Sequence, residues 1–546
     1  MHFDADRDGR VDDDWRGLAR WTWGPGKRGA IVLCNDDDDD GTGHPDNQDG
    51  RVNGGNDLTE LAPILIRKDG AQATPGSWRA FLEVSARTAR RVRIFDSRAR
   101  GAREAVGPEA GGTYAFPDLA FIEKELGIEA IFFAGEDGDW DGEVTVTFRI
   151  EDHDGVIYSQ SGTMRVAPWM MPSHLERADK VFVVDAGPFN SRFRSELRAL
   201  VASAGCSLQQ HREPGDIWMQ DCMEIGHAFM PRHHRPVVMR AKRDRPLRTF
   251  ARTLLAPDFG YQEPSSALRG DNTFDSNGNL EVTPPVRSRE GREFPWGRIY
   301  FGGGRPGERF DPRVERFLVA QKVQAPMRVD TGWLAVGHVD EILTFVPAPG
   351  AKGYRLLIAS PTLAFDILRR AAGAGHGARP LLSGRDFGGR PAEVSIDRFL
   401  TSGIPALDLT RAGLQRCNDR ATRRLEVIKS MLANEIALDA EDLIEVPVIF
   451  MPNEWQPALA DALTAGMVNM LVINHHCIVP RPFGPVVRGL DLFEEHLRAR
   501  LTPLGLTVGF LDDWFEYHVN LGEVHCGTNT LRSPDPSKWK WWRLAR

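Results

Sequence analysis

The sequence predicts two consecutive units of different class: a β-sandwich over residues 1–167 and an α/β unit over 168–546. Three observations point there. EVTVTFRI (143–150) alternates polar and apolar residues with period two, as a strand with one buried face does. After APWMMP (167–172) that alternation gives way to short apolar runs followed by apolar residues at helical spacing. The chain has 546 residues, 41% hydrophobic and 26% charged, which is enough apolar material for the cores of several domain-sized units.

In the first unit RRVRIFDS (90–97) also reads as a strand, Gly- and Asp-rich turns separate such stretches, and no helical pattern competes with them. In the second, VFVVDAG (181–187) is a short apolar strand. Asn190 or Ser191 then caps a helix that places Phe193, Leu197, Leu200 and Val201 on one face. Near the end Asp491 and Glu494 open a helix towards Leu501, and LTVGF (506–510) is a buried strand. The composition shift at about residue 168 is the expected boundary.

Charge is unevenly distributed. Residues 1–60 hold fifteen Asp or Glu and seven Lys or Arg, so this segment carries the whole net charge of −8. Local acidity of that kind attracts cations and disfavours nucleic acid as a partner. Cys34, Cys206, Cys222, Cys417, Cys477 and Cys526 are scattered with no CxxC pair, so reduced thiols are expected. No apolar run approaches the ~20 residues that span a bilayer. The start, MHFDADRDG, shows no signal-peptide pattern, so a soluble chain without a membrane partner is expected.

The acidity is organised. DADRDGRVD (4–12) places Asp4, Asp6, Asp8 and Asp12 at positions 1, 3, 5 and 9 of a loop with Gly9 at position 6, the spacing of a calcium-binding loop. Trp15 stands where a bidentate glutamate closes such a loop, so it is not a true EF-hand. NDDDDD (35–40) and NDLTE (56–60) add oxygen ligands next to the apolar segment AIVLC (30–34). Loops of a folded, calcium-binding domain are expected, the alternative being a solvated acidic stretch.

Chemistry-bearing residues recur where strands give way to loops: Asp221 beside Trp218 in DIWMQDCMEIG (216–226), His338 and Asp340 in LAVGHVDE (334–341), and Cys526 in GEVHCGTN (522–529). Carboxylates bind a planar guanidinium through paired hydrogen bonds, a thiolate attacks its central carbon, and a histidine moves the protons. Each residue alone also fits a structural role, so spacing supports a cysteine hydrolase and no more. INHHCIVP (473–480) is a decoy: adjacent strand residues His475, His476 and Cys477 cannot converge on one metal.

DIWMQDCMEIG, APDFGY (256–261), FDSNGNLEVTPP (274–285), LAVGHVDEILTFVPAP (334–349), VNMLV (468–472), PFGPVV (482–487) and YHVNLGEVHCGTN (517–529) together resemble the protein-arginine deiminases, as does WTWGPGKRGAIVL (21–33). The resemblance runs along nearly the whole chain. It implies an immunoglobulin-like domain followed by a five-bladed α/β propeller, without the first amino-terminal domain of the animal enzymes. It implies Cys526 as nucleophile, His338 as general acid/base, and Asp221 and Asp340 gripping the guanidinium. Trp218 and Val336 would line the channel, Arg245 would hold the peptide backbone of a protein substrate, and Arg243 would stand at the channel mouth. One active-site calcium would be held by Gln220, Glu224 and Glu281 with the carbonyls of Asn277 and Leu280. Asn35, Asp37, Asp39, Asp57 and Glu60 would bind calcium in the first domain. A second active-site ion is expected to be missing: Cys222, Arg240 and Ala241 replace its ligands, only Asp244 remains, and Arg240 paired with neighbouring carboxylates such as Asp244 would supply the charge. The rival readings are a deiminase or amidinotransferase for a small free guanidine and a non-enzymatic calcium-binding adhesion module.

Overall fold

The computed structural model describes residues 1–11, 20–53, 55–68, 74–263 and 272–545. The amino-terminal unit consists of two sheets. One has five strands and is built around Glu143–Asp152, which pairs antiparallel with both Gly155–Val166 and Arg79–Glu83. The other has four strands, with Glu123–Ala130 between Ala62–Arg67 and Val92–Phe95. The predicted alternation holds: Val144, Val146 and Phe148 are buried while Glu143, Thr145 and Thr147 face outward or half outward. A short α-helical turn, Asp57–Glu60, interrupts this β pattern, and its Asp57 and Glu60 are buried.

Beyond residue 168 the chain repeats one plan. Among the described residues there are five three-stranded sheets, and each has a central strand with one antiparallel and one parallel neighbour. The central strands are Ala178–Asp185, His233–Arg240, Ile299–Gly303, Tyr354–Ser360 and His476–Pro480. The parallel neighbour is reached by a crossover, since parallel strands cannot be joined by a tight turn. In four of the five sheets that crossover contains a helix: Ser191–Ser203, Pro312–Ala320, Pro361–Ala371 and Leu492–Leu501. The first sheet is completed by Thr528–Arg532 from the end of the chain, so the last strand closes onto the first.

The helix Ser191–Ser203 buries Phe193, Leu197 and Val201 as its spacing predicts. Its capping differs: Asn190 makes no cap hydrogen bond and instead ties Val184 O and Ala186 N of the preceding strand end. Asp491 does cap its helix, accepting from Phe493 N and Glu494 N. Cys477 is a core residue beside half-exposed His476, consistent with a structural role for that stretch. One apolar cluster joins Val32 and Phe148 of the first unit to Trp169, Phe229, Phe317 and Trp541 of the second. No helix among the described residues is long and apolar enough to cross a membrane.

Candidate active site

In each of the five three-stranded sheets the strand antiparallel to the central one is entered through a tight turn or short loop, and these five entries meet. Gln220–Cys222 leads into Met223–Met230, Asn277–Asn279 into Leu280–Val282, and Val339–Glu341 into Leu343–Pro347. Residues 467–470 lead into Leu471–Ile473, and residues 523–527 into Thr528–Arg532. Asp221, Gly278, His338 with Asp340, Asn469 and Cys526 thus come from five separate sheets to one place.

The distances are short. Cys526 Sγ lies 3.3 Å from Asp340 Oδ2 and accepts from Asn469 Nδ2 at 3.2 Å. Asn469 Oδ1 in turn accepts from Cys526 N at 3.2 Å, so one amide side chain clamps both ends of the cysteine. His338 Nε2 donates to Thr273 O at 2.8 Å; a carbonyl only accepts, so Nδ1 is the basic nitrogen, 3.7 Å from Asp221 Oδ1. Gly278 is needed where it stands. A Cβ there would lie 2.8 Å from Asp221 Oδ1, 2.8 Å from His338 Nδ1 and 3.2 Å from Asp340 Oδ2.

A cleft of about 180 Å³ opens on this cluster, lined by Trp218, Asp221, Arg245, Val336, His338 and Cys526 among others. Burial pushes the Cys526 thiol well above the usual range, and the charges of Asp340 and Asp221 push it further. Asp221 Oδ1 and Asp340 Oδ1 are buried with no hydrogen-bond partner among the described residues. Arg245 is part-exposed at the rim, its side chain 39% accessible. Arg243 lines the same cleft. It is buried, with Nη1 3.1 Å from Asp216 Oδ2 and Nη2 3.4 Å from Asp221 Oδ2, because buried Asp216 draws the guanidinium inward.

Of the expected calcium ligands near the cleft, Gln220 Nε2 donates to Glu224 Oε2 at 3.0 Å, and Asn277 O accepts from Leu280 N. Burial raises Glu224 to about 8, with repulsion from Glu281 next, and burial raises Glu281 to about 7. A buried and a half-buried carboxylate with raised proton affinity and a neighbouring amide suit a hard cation. Cys222 lies in apolar packing with Met219 and Met223. The Arg240–Asp244 pair is not formed: Arg240 Nε contacts Glu263 Oε1 at 2.6 Å, while exposed Asp244 faces Arg248 at 3.5 Å. Glu263 follows the strand beside that of Arg240, whereas Asp244 lies on the turn beyond it.

In the first unit Asn35 Nδ2 bridges Asp57 and Glu129, each at 2.9 Å, and both oxygens of Asp39 are buried without a hydrogen-bond partner among the described residues. Asp37 and Glu60 are already paired, both with the fully buried Arg235, which also reaches Asp36 at 2.9 Å. Asp4 accepts from Asp8 N and Gly9 N, and one carboxylate oxygen each of Asp4, Asp6 and Asp8 lie within 4.8 Å of one another. Asp12 lies outside the described residues.

Sequence reasoning missed Asn469, Gly278, Thr273 and Asp216. Asn469 and Gly278 sit inside the quoted stretches VNMLV and FDSNGNLEVTPP, but nothing about an Asn or a Gly marks it as touching a thiol or a carboxylate pair.

Residues 156–543 match the family model described as protein-arginine deiminase, and residues 1–150 match that of its middle domain. Protein-arginine deiminase type-1 of Homo sapiens is 32% identical, covering 100% of this chain and 82% of that protein. Type-4 of Homo sapiens is 34% identical, covering 96% and 79% respectively. Type-3 of Mus musculus is 36% identical, covering 99% and 81%.

Proposed function

The chain belongs to the protein-arginine deiminase family, and from that membership we propose that it hydrolyses arginine side chains of proteins and peptides to citrulline, releasing ammonia. The observation that carries this reading is the juxtaposition of the Cys526 thiol, the inward nitrogen of His338 and the unpartnered oxygens of Asp221 and Asp340 around one small cleft.

The guanidinium binds between Asp221 and Asp340, its aliphatic stem passing Trp218 and Val336. Its positive charge offsets the two carboxylates that disfavour the thiolate, so substrate binding itself lowers the barrier to ionising Cys526. His338 Nδ1 takes the proton of the Cys526 thiol, and the sulfur attacks the central carbon and forms a C–S bond. His338 delivers a proton to one terminal nitrogen, the C–N bond breaks, and ammonia leaves a thiouronium on Cys526. His338 then takes a proton from water, the hydroxide adds to the same carbon, and the C–S bond breaks; the hydroxyl proton passes to solvent as citrulline leaves, and His338 returns its proton to the sulfur. Asn469 holds the sulfur in line by donating to it. Arg245 at the rim supports a peptide substrate, since its guanidinium can donate to backbone carbonyls.

The fivefold strand plan supports the propeller reading for 168–546, and the two packed sheets support an immunoglobulin-like domain over 1–167. Gln220, Glu224 and Glu281 with the Asn277 and Leu280 carbonyls would hold a calcium ion that neutralises the carboxylates and orders the turns carrying Asp221 and Gly278. Asn35, Asp39 and Asp57 remain the open part of the first-domain set, since Arg235 already compensates Asp37 and Glu60. Asp4, Asp6 and Asp8 form a second set there. Apolar Cys222 and the Arg240–Glu263 pair argue for a single active-site ion.

The test is citrulline formation from a blocked arginine amide and from free arginine, with and without a calcium chelator. Turnover of the amide well above that of free arginine is expected. Preference for free arginine would overturn the protein-substrate reading in favour of a small-guanidine enzyme.

A further inference from the structure

Both carboxylate oxygens of Glu281 face imidazoles. His525 Nε2 is 3.3 Å from Oε1, and His174 Nε2 is 3.4 Å from Oε2. One ligand atom from each of the three residues lies within 4.8 Å of the other two, and the His174 and His525 rings meet edge to face at 5.8 Å. Glu281 and His525 are buried and His174 is nearly so. On its far side His525 Nδ1 lies 3.0 Å from Asp340 Oδ2. A carboxylate behind an imidazole is the arrangement that fixes the tautomer of a metal-ligating histidine and raises its basicity. Two nitrogens and a carboxylate suit zinc, cobalt or nickel; calcium takes oxygen.

We propose that His174, Glu281 and His525 form a site for a borderline divalent transition metal. Bound there, the metal takes His525 Nε2, leaving the proton on Nδ1 to donate to Asp340. It thereby couples the site to a carboxylate of the cleft. It also takes Glu281, so it competes with calcium at the ligand the two sets share. The site rests on side-chain geometry alone; the competition rests on the calcium reading above.

The experiment uses the full chain carrying Cys526→Ala, which removes the thiol next to His525 in the chain. The calcium-stripped protein is titrated with Co²⁺, followed by visible absorption, and with Zn²⁺, followed by calorimetry. One equivalent is expected to bind with the visible bands of a nitrogen- and oxygen-ligated cobalt and no intense near-ultraviolet thiolate band. His174→Ala is expected to weaken that equivalent roughly 100-fold. If that variant melts prematurely, His174→Gln replaces it. His233→Ala, in the separate Glu60–His233–Asp258 cluster, should leave the signal unchanged. Equal binding with and without His174, loss on removing His233, or a thiolate band would each overturn the assignment. Calcium should weaken zinc binding, and independence of the two would overturn the shared ligand. Because the protein tested is already inactive, failure of the deiminase reading would leave the cobalt signal untouched.

Discussion

Cys526 shows how one residue's environment decides its chemistry. Burial and the charges of Asp340 and Asp221 raise the proton affinity of its thiol, and in the proposed reaction a bound cation offsets those charges. Cys526→Ala should therefore abolish citrulline formation, typically by several orders of magnitude for a nucleophile in a concerted site; a tenth of the parental rate would exclude covalent catalysis. Alkylation by a neutral reagent should stay slow through neutral pH and accelerate only above the ordinary cysteine range. An unreactive guanidinium compound should shift that profile to lower pH, and an unshifted profile would contradict charge compensation. Asp221→Asn and Asp340→Asn should each lose most activity, because an amide carries no charge and presents donors to donors. Gly278→Ala tests the packing of the same carboxylates: its methyl would sit inside hydrogen-bond distance of Asp221 and His338, so the rate should fall sharply.

At the scale of elements, the site is made by position within a repeat. Each sheet contributes the entry to the same strand, so residues separated by up to three hundred positions become neighbours without any local pattern announcing it. The local signals that are legible concern the elements themselves. Asp491, read as a helix start, does accept two backbone N–H groups, and Asp491→Ala should cost about 1 kcal/mol in chemical denaturation. A cost near zero would show that helix to be held by packing of Phe493, Leu497 and Leu501 alone. Asn190 misled because a polar side chain before a helix can as readily tie off the preceding strand, and here burial against Val184 and Tyr517 made that the better use.

For the whole molecule, the notable device is Arg235. It reaches from a strand of the second unit into the acidic cluster of the first, where it pairs with Asp36, Asp37 and Glu60 at full burial. Removing one partner of such a cluster leaves uncompensated buried charge, typically costing about 3–5 kcal/mol. Arg235→Ala should therefore melt much earlier without calcium and recover on calcium addition, as the freed carboxylates accept the ion; no recovery would remove Asp37 and Glu60 from the calcium set. Protons compete with calcium for the carboxylates of the proposed active-site set. Burial raises Glu281 to about 7 and Glu224 to about 8. Carboxyls whose folded values lie above their unfolded ones contribute stability that is present below about pH 4 and is lost as pH rises through 7 to 8. The calcium-free protein should accordingly melt lower at pH 8 than at pH 5.5, and calcium should flatten that slope; an equally steep slope with calcium bound would contradict the ligand set.

The sequence by itself determined the class of each unit, because period-two and 3.6-residue patterns are written in consecutive residues. It also brought forward Cys526, His338, Asp221 and Asp340 as the proposed reacting groups, since they sit in long specific stretches. Tertiary structure alone decided which atoms face one another. The inward tilt of Arg243 onto Asp216, the Arg240–Glu263 pair in place of Arg240–Asp244, the seat of Arg235 and the Asn469 clamp all join segments far apart in the chain. Buried charges take whichever opposite charge the packing brings within reach, and the strength of that attraction at low dielectric is a property of distance, which no spacing along the chain encodes.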